Sequence, residues 1–150
     1  MDLNGKVALI TGGARMGEAI ASALAERGCD VALVYHHSKA VSQKTARKIK
    51  WLGRKALVLK ADLTNTRDTY SVIPKIKSEF RRLDILIHLA SLYEHKSLTQ
   101  LKSNDWDESF NVHLKSAAEL SLKAAPLMRK AGNGRIIFIS DWTAASGRPR

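Results

Sequence analysis

Apolar runs of strand length recur along the chain at 7–11, 31–35, 56–60, 85–89 and 136–140. Each is apolar almost throughout rather than alternating, as expected of strands in a parallel sheet covered on both faces. Between them lie stretches with apolar residues at helical spacing, roughly 16–27, 38–52, 66–80 and 105–130. Alternating strands and helices, joined by right-handed crossovers, predict an α/β fold: a doubly wound parallel sheet in three layers. Gly28, Gly53 and the pair Gly132 and Gly134 fall where the helices should stop, as the preference for glycine just past a helix end requires. Asn104 or Asp105 is the expected N-cap of the last helix. Five strands and four helices make one domain over residues 1–150, ending in a loop-like Gly147-Arg148-Pro149-Arg150. Doubly wound dinucleotide-binding sheets commonly have about six strands, so C-terminal strands and helices are expected to be missing and the chain to be the front part of a longer protein.

The first strand, Lys6-Val7-Ala8-Leu9-Ile10, breaks into Thr11-Gly12-Gly13-Ala14-Arg15-Met16-Gly17 and then a helix from Glu18. Glycines at a strand-to-helix turn let the backbone approach a pyrophosphate, and the helix start supplies unpaired N–H groups and the positive end of its dipole. A dinucleotide is therefore the expected ligand.

Composition adds little to this except through charge. The chain is 45% hydrophobic and 26% charged, which is ordinary for a globular protein. No basic segment followed by a long apolar run opens it, which excludes a signal peptide and a spanning helix there. One cysteine, Cys29, makes an internal disulfide impossible and suits a reducing cytoplasm; a small buried residue is its expected role. The net charge of +11 admits nucleic acid, an acidic protein or a phosphorylated ligand. The cations are spread along helix faces and turns with no interleaved aromatics and no metal-ligand spacing, so neither a specific nucleic-acid partner nor a metal is expected.

Ligands of open parallel sheets bind outside the carboxyl ends of the strands. Those ends here carry the glycine turn with Arg15, then Tyr35-His36-His37-Ser38-Lys39, Ala61-Asp62-Leu63, Ala90-Ser91-Leu92-Tyr93 and Ser140-Asp141-Trp142. An enzyme using NAD usually places an acidic residue after the second strand to bind the ribose 2′-hydroxyl. Tyr35, two histidines, a serine and a lysine stand there instead, with Arg15 able to converge on them. This cluster attracts a 2′-phosphate, and each charge-assisted hydrogen bond contributes about 1.5–3 kcal/mol. The expected cofactor is NADP(H).

Taken together, these segments resemble the short-chain dehydrogenase/reductase family over the whole chain. The matches are Thr11-Gly12…Gly17, Ala61-Asp62-Leu63, Leu83-Asp84-Ile85-Leu86-Ile87 and Gly134-Arg135-Ile136-Ile137. Tyr35-His36-His37-Ser38 and Ala90-Ser91 look most like pteridine reductases and related NADPH-dependent members, 3-oxoacyl reductases among them. The resemblance implies a Rossmann fold, an Asp62 that contacts the adenine amino group, and an Ala90 against the ribose side of the cofactor. The candidate cofactor-binding residues are Gly12, Arg15, Met16, Gly17, Tyr35, His36, His37, Ser38, Asp62, Leu63, Ala90 and Ser91.

The departures from the family pattern are as informative. The glycine turn is one residue short, its gap following Arg15, and lacks the middle glycine. The family's Asn-Asn-Ala-Gly reads His88-Leu89-Ala90-Ser91, so the two amides that brace the sheet end are gone. The family's helix-four asparagine, which holds a water in the proton relay, falls on His113; a relay role and a partly buried structural role both remain open. The substrate-orienting serine aligns with Asp141, which the resemblance to pteridine reductases makes a group that protonates or orients substrate. The candidate catalytic residues are Asp141 and His113. The family's Tyr-x-x-x-Lys is expected a dozen or more residues past the serine position, but nine residues follow Asp141 and none is tyrosine or lysine. Tyr35 to Lys39 has that spacing but straddles a strand end, so its side chains share no helix face.

The expected function is NADPH-dependent hydride transfer to a carbonyl, an acyl thioester or a pterin-like C=N, in a homo-oligomeric enzyme (tetramer or dimer) of the cytoplasm. These 150 residues alone are expected to be inactive. The alternative is a dinucleotide-binding module or pseudoenzyme without catalysis. Ala117, Ala118, Ser121, Ala124 and Ala125 form a small-residue face that suits either a helix contact between subunits or a buried face within one.

Overall fold

A computed structural model describes residues 2–93 and 96–147. Five parallel strands, β1 (Val7–Thr11), β2 (Asp30–Tyr35), β3 (Ala56–Lys60), β4 (Ile85–His88) and β5 (Arg135–Phe138), form one sheet in the order β3-β2-β1-β4-β5. Helices α1 (Met16–Glu26), α2 (Lys39–Trp51), α3 (Thr66–Phe80), α4 (Ser103–Phe110) and α5 (Ser116–Lys130) connect them, with a short α6 (Thr143–Ser146) after β5. The doubly wound parallel sheet expected from the sequence is present.

Strand residues point alternately to the two faces, and each face finds its own helices. Val7, Leu9, Ala32, Val34 and Leu59 bury against Val72 and Ile76 of α3 and Leu120 and Ala124 of α5. Ala8, Ile10, Val31 and Leu33 bury against Ala21 and Ala25 of α1 and Ile49 of α2. Two covered faces explain the continuous apolar runs of β1, β2 and β4. Cys29 belongs to the second cluster; it is fully buried, its Sγ–H donates to the Leu3 carbonyl at 3.3 Å, and burial pushes its thiol pKa up.

Several boundaries differ from expectation for local reasons. The fourth helix starts at Ser103, after Lys102, and neither Asn104 nor Asp105 is its N-cap. Asp105 sits within the first turn, where its carboxylate accepts the Lys102 N–H at 2.8 Å and pairs with Lys96 Nζ at 2.7 Å. Between α4 and α5 the helix widens to π geometry over Asn111–Lys115. A 3₁₀ turn, Leu98–Gln100, precedes α4. β4 ends at His88 and β5 at Phe138, each followed by one more bond to the neighbouring strand, from Leu89 N–H to Thr11 O and from Ile139 N–H to His88 O. The small-residue face divides: Ala117 and Ala124 are buried within the chain while Ala118 is exposed. Ile136, Ile137, Phe138 and Ile139 are each about half exposed. Among the described residues no helix is long and apolar enough to cross a membrane.

The opposite end of the sheet is fastened by one carboxylate. Asp84 is fully buried and accepts the Val7 N–H at 2.9 Å, Arg82 Nε at 2.8 Å and Arg82 Nη2 at 2.7 Å, with Lys6 Nζ at 3.4 Å. Its backbone bonds Val7 on one side and Arg135 on the other, so it joins the starts of β1, β4 and β5. Burial alone would raise this carboxyl's pKa; the hydrogen bonds from Arg82 and Val7, with the charges of Arg82 and Lys6, outweigh it and hold the carboxyl below the usual carboxylate range. Asp84→Ala leaves the Val7 N–H without its acceptor and should cost about 1–3 kcal/mol at neutral pH. A depressed carboxyl contributes its stability above the unfolded pKa and loses it as pH falls through the folded value. The gap between wild type and Asp84→Ala in urea denaturation should therefore be full at pH 7 and close progressively below about pH 4.

Candidate functional site

β1 leads to α1 on one face of the sheet, while β4, its neighbour, leads toward α4 and α5 on the other. The loops part there and leave a crevice at the topological switch point, where open α/β sheets hold their ligands. The crevice is about 490 Å³, within the roughly 300–1,000 Å³ of small-molecule and cofactor sites. Its walls include Gly12, Arg15, Tyr35, His36, His37, Ser38, Asp62, Leu63, Ala90 and Ser91. The sites expected at four strand ends thus meet in one cavity. Met16 and Gly17 do not line it: Met16 is half exposed, and Gly17 is buried against the Gly12 carbonyl.

The glycine turn is built by close approach. A Cβ on Gly12 would stand 2.9 Å from the Leu89 carbonyl carbon and oxygen, and one on Gly13 would stand 2.5 Å from Ser42 Oγ. Ser42 is fully buried, and its hydroxyl has no hydrogen-bond partner among the described residues. The Gly12 N–H bonds Val34 O, and those of Gly17 and Ala19 bond the Ala14 and Arg15 carbonyls. The N–H groups of Gly13, Ala14 and Arg15 find no acceptor among the described residues. Three unpaired donors beside a helix start fit the pyrophosphate of a dinucleotide.

The bend before α1 falls on a residue that is not glycine. Arg15 precedes α1 at φ 47°, ψ −104°, a conformation at home for glycine and strained by about 1–2 kcal/mol for other residues.

Beyond β2 the site is cationic in potential. His36 and His37 are exposed with ring centroids 3.8 Å apart, and His36 Nε2 stands 3.8 Å from an Asp62 oxygen. Asp62 Oδ1 accepts the Thr64 N–H at 2.9 Å and its hydroxyl at 2.8 Å. Partial burial pushes this carboxyl's pKa upward, but those hydrogen bonds and the two histidines outweigh it, so Asp62 is held below its ordinary range as an anion. A carboxylate half in solvent at the third strand end could accept from an amino group.

Two histidines, neither of which lines the crevice, stand behind its opposite wall. His88, at the end of β4, is buried; its Nδ1 lies 3.0 Å from Thr11 Oγ1 and its Nε2 lies 3.0 Å from the Val112 carbonyl. The bracing expected to be lost with the family's amides is thus supplied by an imidazole. Thr11 and His88 pair in register across β1 and β4. Both polar groups close otherwise apolar strands, the signal that could have found them in the sequence. His113, in the π segment, is exposed; its Nε2 accepts the Leu92 N–H at 3.2 Å and lies 3.1 Å from Ser91 Oγ. With Nε2 accepting, Nδ1 carries the hydrogen and donates to the Ser109 carbonyl at 3.0 Å. His113 therefore ties the loop after β4 to the helix. Asp141 accepts the Thr143 N–H at 2.9 Å and its hydroxyl at 2.8 Å at the start of α6. Neither His113 nor Asp141 lines the crevice itself.

A family model described as short chain dehydrogenase matches residues 6–150. The hydroxynaphthalene reductase of Aspergillus fumigatus is 35% identical over 150 residues, 99% of this chain and 54% of that protein. The 3-oxoacyl-(acyl-carrier-protein) reductase FabG of Staphylococcus aureus is 32% identical over 145 residues, 96% of this chain and 59% of that protein. A short chain dehydrogenase of Burkholderia cenocepacia, solved in complex with NADP, is similar with a TM-score of 0.91 at 32% identity, covering 99% of this chain and 60% of that one. The chain spans 54–59% of the length of these two curated relatives.

The strain at Arg15 and its position in the crevice give opposite consequences for one substitution. Arg15→Gly should raise stability by up to about 1–2 kcal/mol in thermal or urea unfolding, while weakening NADPH binding in a fluorescence titration.

Proposed function

The chain belongs to the short-chain dehydrogenase/reductase family of oxidoreductases, and from that premise we propose that it binds NADP(H) for hydride transfer to a carbonyl or a pterin-like C=N. The observation that carries the cofactor choice is the wall beyond β2: Arg15, His36, His37 and Ser38 line the crevice where a carboxylate would select NAD. The nicotinamide, when bound, supplies the hydride; the protein's part is to hold and orient it.

In this reading the free N–H groups of Gly13 to Arg15 hold the pyrophosphate, with Gly12 giving it room and Met16 and Gly17 starting the helix that faces it. Arg15, Tyr35, His36, His37 and Ser38 surround the 2′-phosphate. Asp62 and Leu63 receive the adenine, and Ala90 and Ser91 lie against the ribose. Asp141 orients or protonates the substrate, and His113 stands at the relay position, held by Ser91, Leu92 and Ser109. The chemistry that fits is a small ketone, an acyl thioester or a pterin. The exposed apolar row of Trp106, Phe110, Leu114 and Leu122 on α4, the π segment and α5 supports a homo-oligomer, a dimer or a tetramer.

Titration of the protein into NADPH and into NADH, followed by nucleotide fluorescence, tests the reading. NADPH should bind more tightly. Tyr35→Asp should weaken NADPH by about tenfold or more, the worth of one charge-assisted hydrogen bond, and narrow or reverse the preference. Absence of NADPH binding, or tighter NADH binding by the wild type, would overturn it. Carbonyl-dependent oxidation of NADPH separates an enzyme from a dinucleotide-binding module.

A further inference from the structure

We propose that His88 is a positioning residue for the cofactor crevice and that protonation of its ring disrupts the crevice wall. The proposal rests on the dinucleotide reading above and adds to it one residue and a dependence on pH.

The hydrogen-bond partners fix the state of the ring. The Val112 carbonyl can only accept, so Nε2 carries the hydrogen across the 3.0 Å contact. Nδ1 then holds its lone pair toward Thr11 Oγ1, also at 3.0 Å, and the threonine hydroxyl donates to it. The same oxygen accepts the Ala90 N–H at 3.2 Å and shares the Leu89 N–H, at 3.1 Å, with the Thr11 carbonyl. The direction of every bond is thereby set, from Leu89 and Ala90 through Thr11 and His88 to Val112. The wide helical turn helps to make this possible. The Ser116 N–H, which an α-helix would direct to Val112 O, goes to Asn111 O; the Val112 carbonyl takes the His88 ring and the Ser116 hydroxyl, the latter at 2.7 Å.

A proton from solvent added to Nδ1 turns this acceptor into a donor. Thr11 Oγ1 would then face three N–H donors, while its own hydrogen lost its acceptor. The ring is 4% exposed, so water is poorly placed to take over the bond, and an unmade buried hydrogen bond is costly. Relief requires moving Thr11, Leu89 or Ala90, and the last two line the crevice. Among the described groups around the ring, the Val112 carbonyl favours its cation and the others do not. β1 presents Thr11, β5 presents the Phe138 ring edge-on at 6.2 Å, and the π segment presents His113. Glu108 of α4 lines the same crevice, but its carboxylate accepts Asn104 Nδ2, and Arg15 contributes a like charge from the glycine turn. Burial outweighs the Val112 hydrogen bond, which favours the cation, and with His113 holds the ring's pKa below the ordinary histidine value, so the protonation that breaks the network belongs to the acid side.

Two readouts test this. Nitrogen-15 NMR of the imidazoles should show His88 bare at Nδ1 and protonated at Nε2 at pH 8. NADPH titrations from pH 8 to pH 5 should show Kd rising as pH falls through the His88 pKa, by up to about tenfold per pH unit. The cofactor's 2′-phosphate titrates in the same range, so the His88 part is the difference from His88→Gln, which offers an acceptor and a donor but no titration. His88→Phe fills the volume with neither bond and should weaken NADPH at every pH. His88→Gln should recover most of that loss at pH 8 while leaving a flatter profile than wild type. A His88 protonated at Nδ1 at pH 8, or a His88→Gln profile that superimposes on wild type, overturns the positioning role alone. A wild-type protein that binds no NADPH at pH 8 overturns the dinucleotide reading, and the positioning role with it.

Discussion

The structure depends on how two neighbouring strands are held together at the point where their chains part. β1 and β4 run side by side and pair Thr11 with His88, yet beyond those residues one chain turns to α1 and the other toward α4. Such a divergence leaves backbone N–H groups without sheet partners, and buried donors must be satisfied. The Thr11 hydroxyl meets this need for Ala90 and shares the Leu89 N–H with the Thr11 carbonyl, and His88 carries the connection on to the π segment. The gap can stay open because its rim is hydrogen-bonded. A crevice of the right size at the switch point is the result.

Charge is the second property of that crevice. The net charge of +11 is mostly a matter of solvated helix faces, and partly of ion pairs such as Lys48 with Glu26 and Arg54 with Asp30. What matters for a ligand is local. Arg15 and two histidines face the crevice beyond β2, and the nearby carboxylate, Asp62, is turned into the Thr64 turn and engaged with His36. The wall beyond β2 therefore presents donors, the adjacent strand end an acceptor, and the glycine turn three unpaired N–H groups.

Most of the fold was legible because a doubly covered parallel sheet writes itself as continuous apolar runs, and Val31 to Val34 or Ile85 to Ile87 admit little else. The crevice was legible for the same reason, since strand ends locate it. The bonds that hold it open were not. His88 meets Val112 across 24 residues and Thr11 across 77, and no local pattern encodes either meeting. The start of α4 misled because Asp105 is as good an acceptor inside the first turn as at the cap. His113, read as a relay or a structural group, has both ring nitrogens engaged in holding the loop after β4. The π segment leaves no trace that periodicity can register over five residues.

In the function proposed above, one dinucleotide is held at the strand ends lining this crevice. Hydrogen–deuterium exchange of the protein with and without saturating NADPH tests it most directly. Bound cofactor should slow exchange only in the glycine turn and the segments after β2, β3 and β4, around residues 12–17, 35–38, 61–64 and 89–92. Protection elsewhere on the surface with these four segments unchanged, or no protection anywhere, would contradict it.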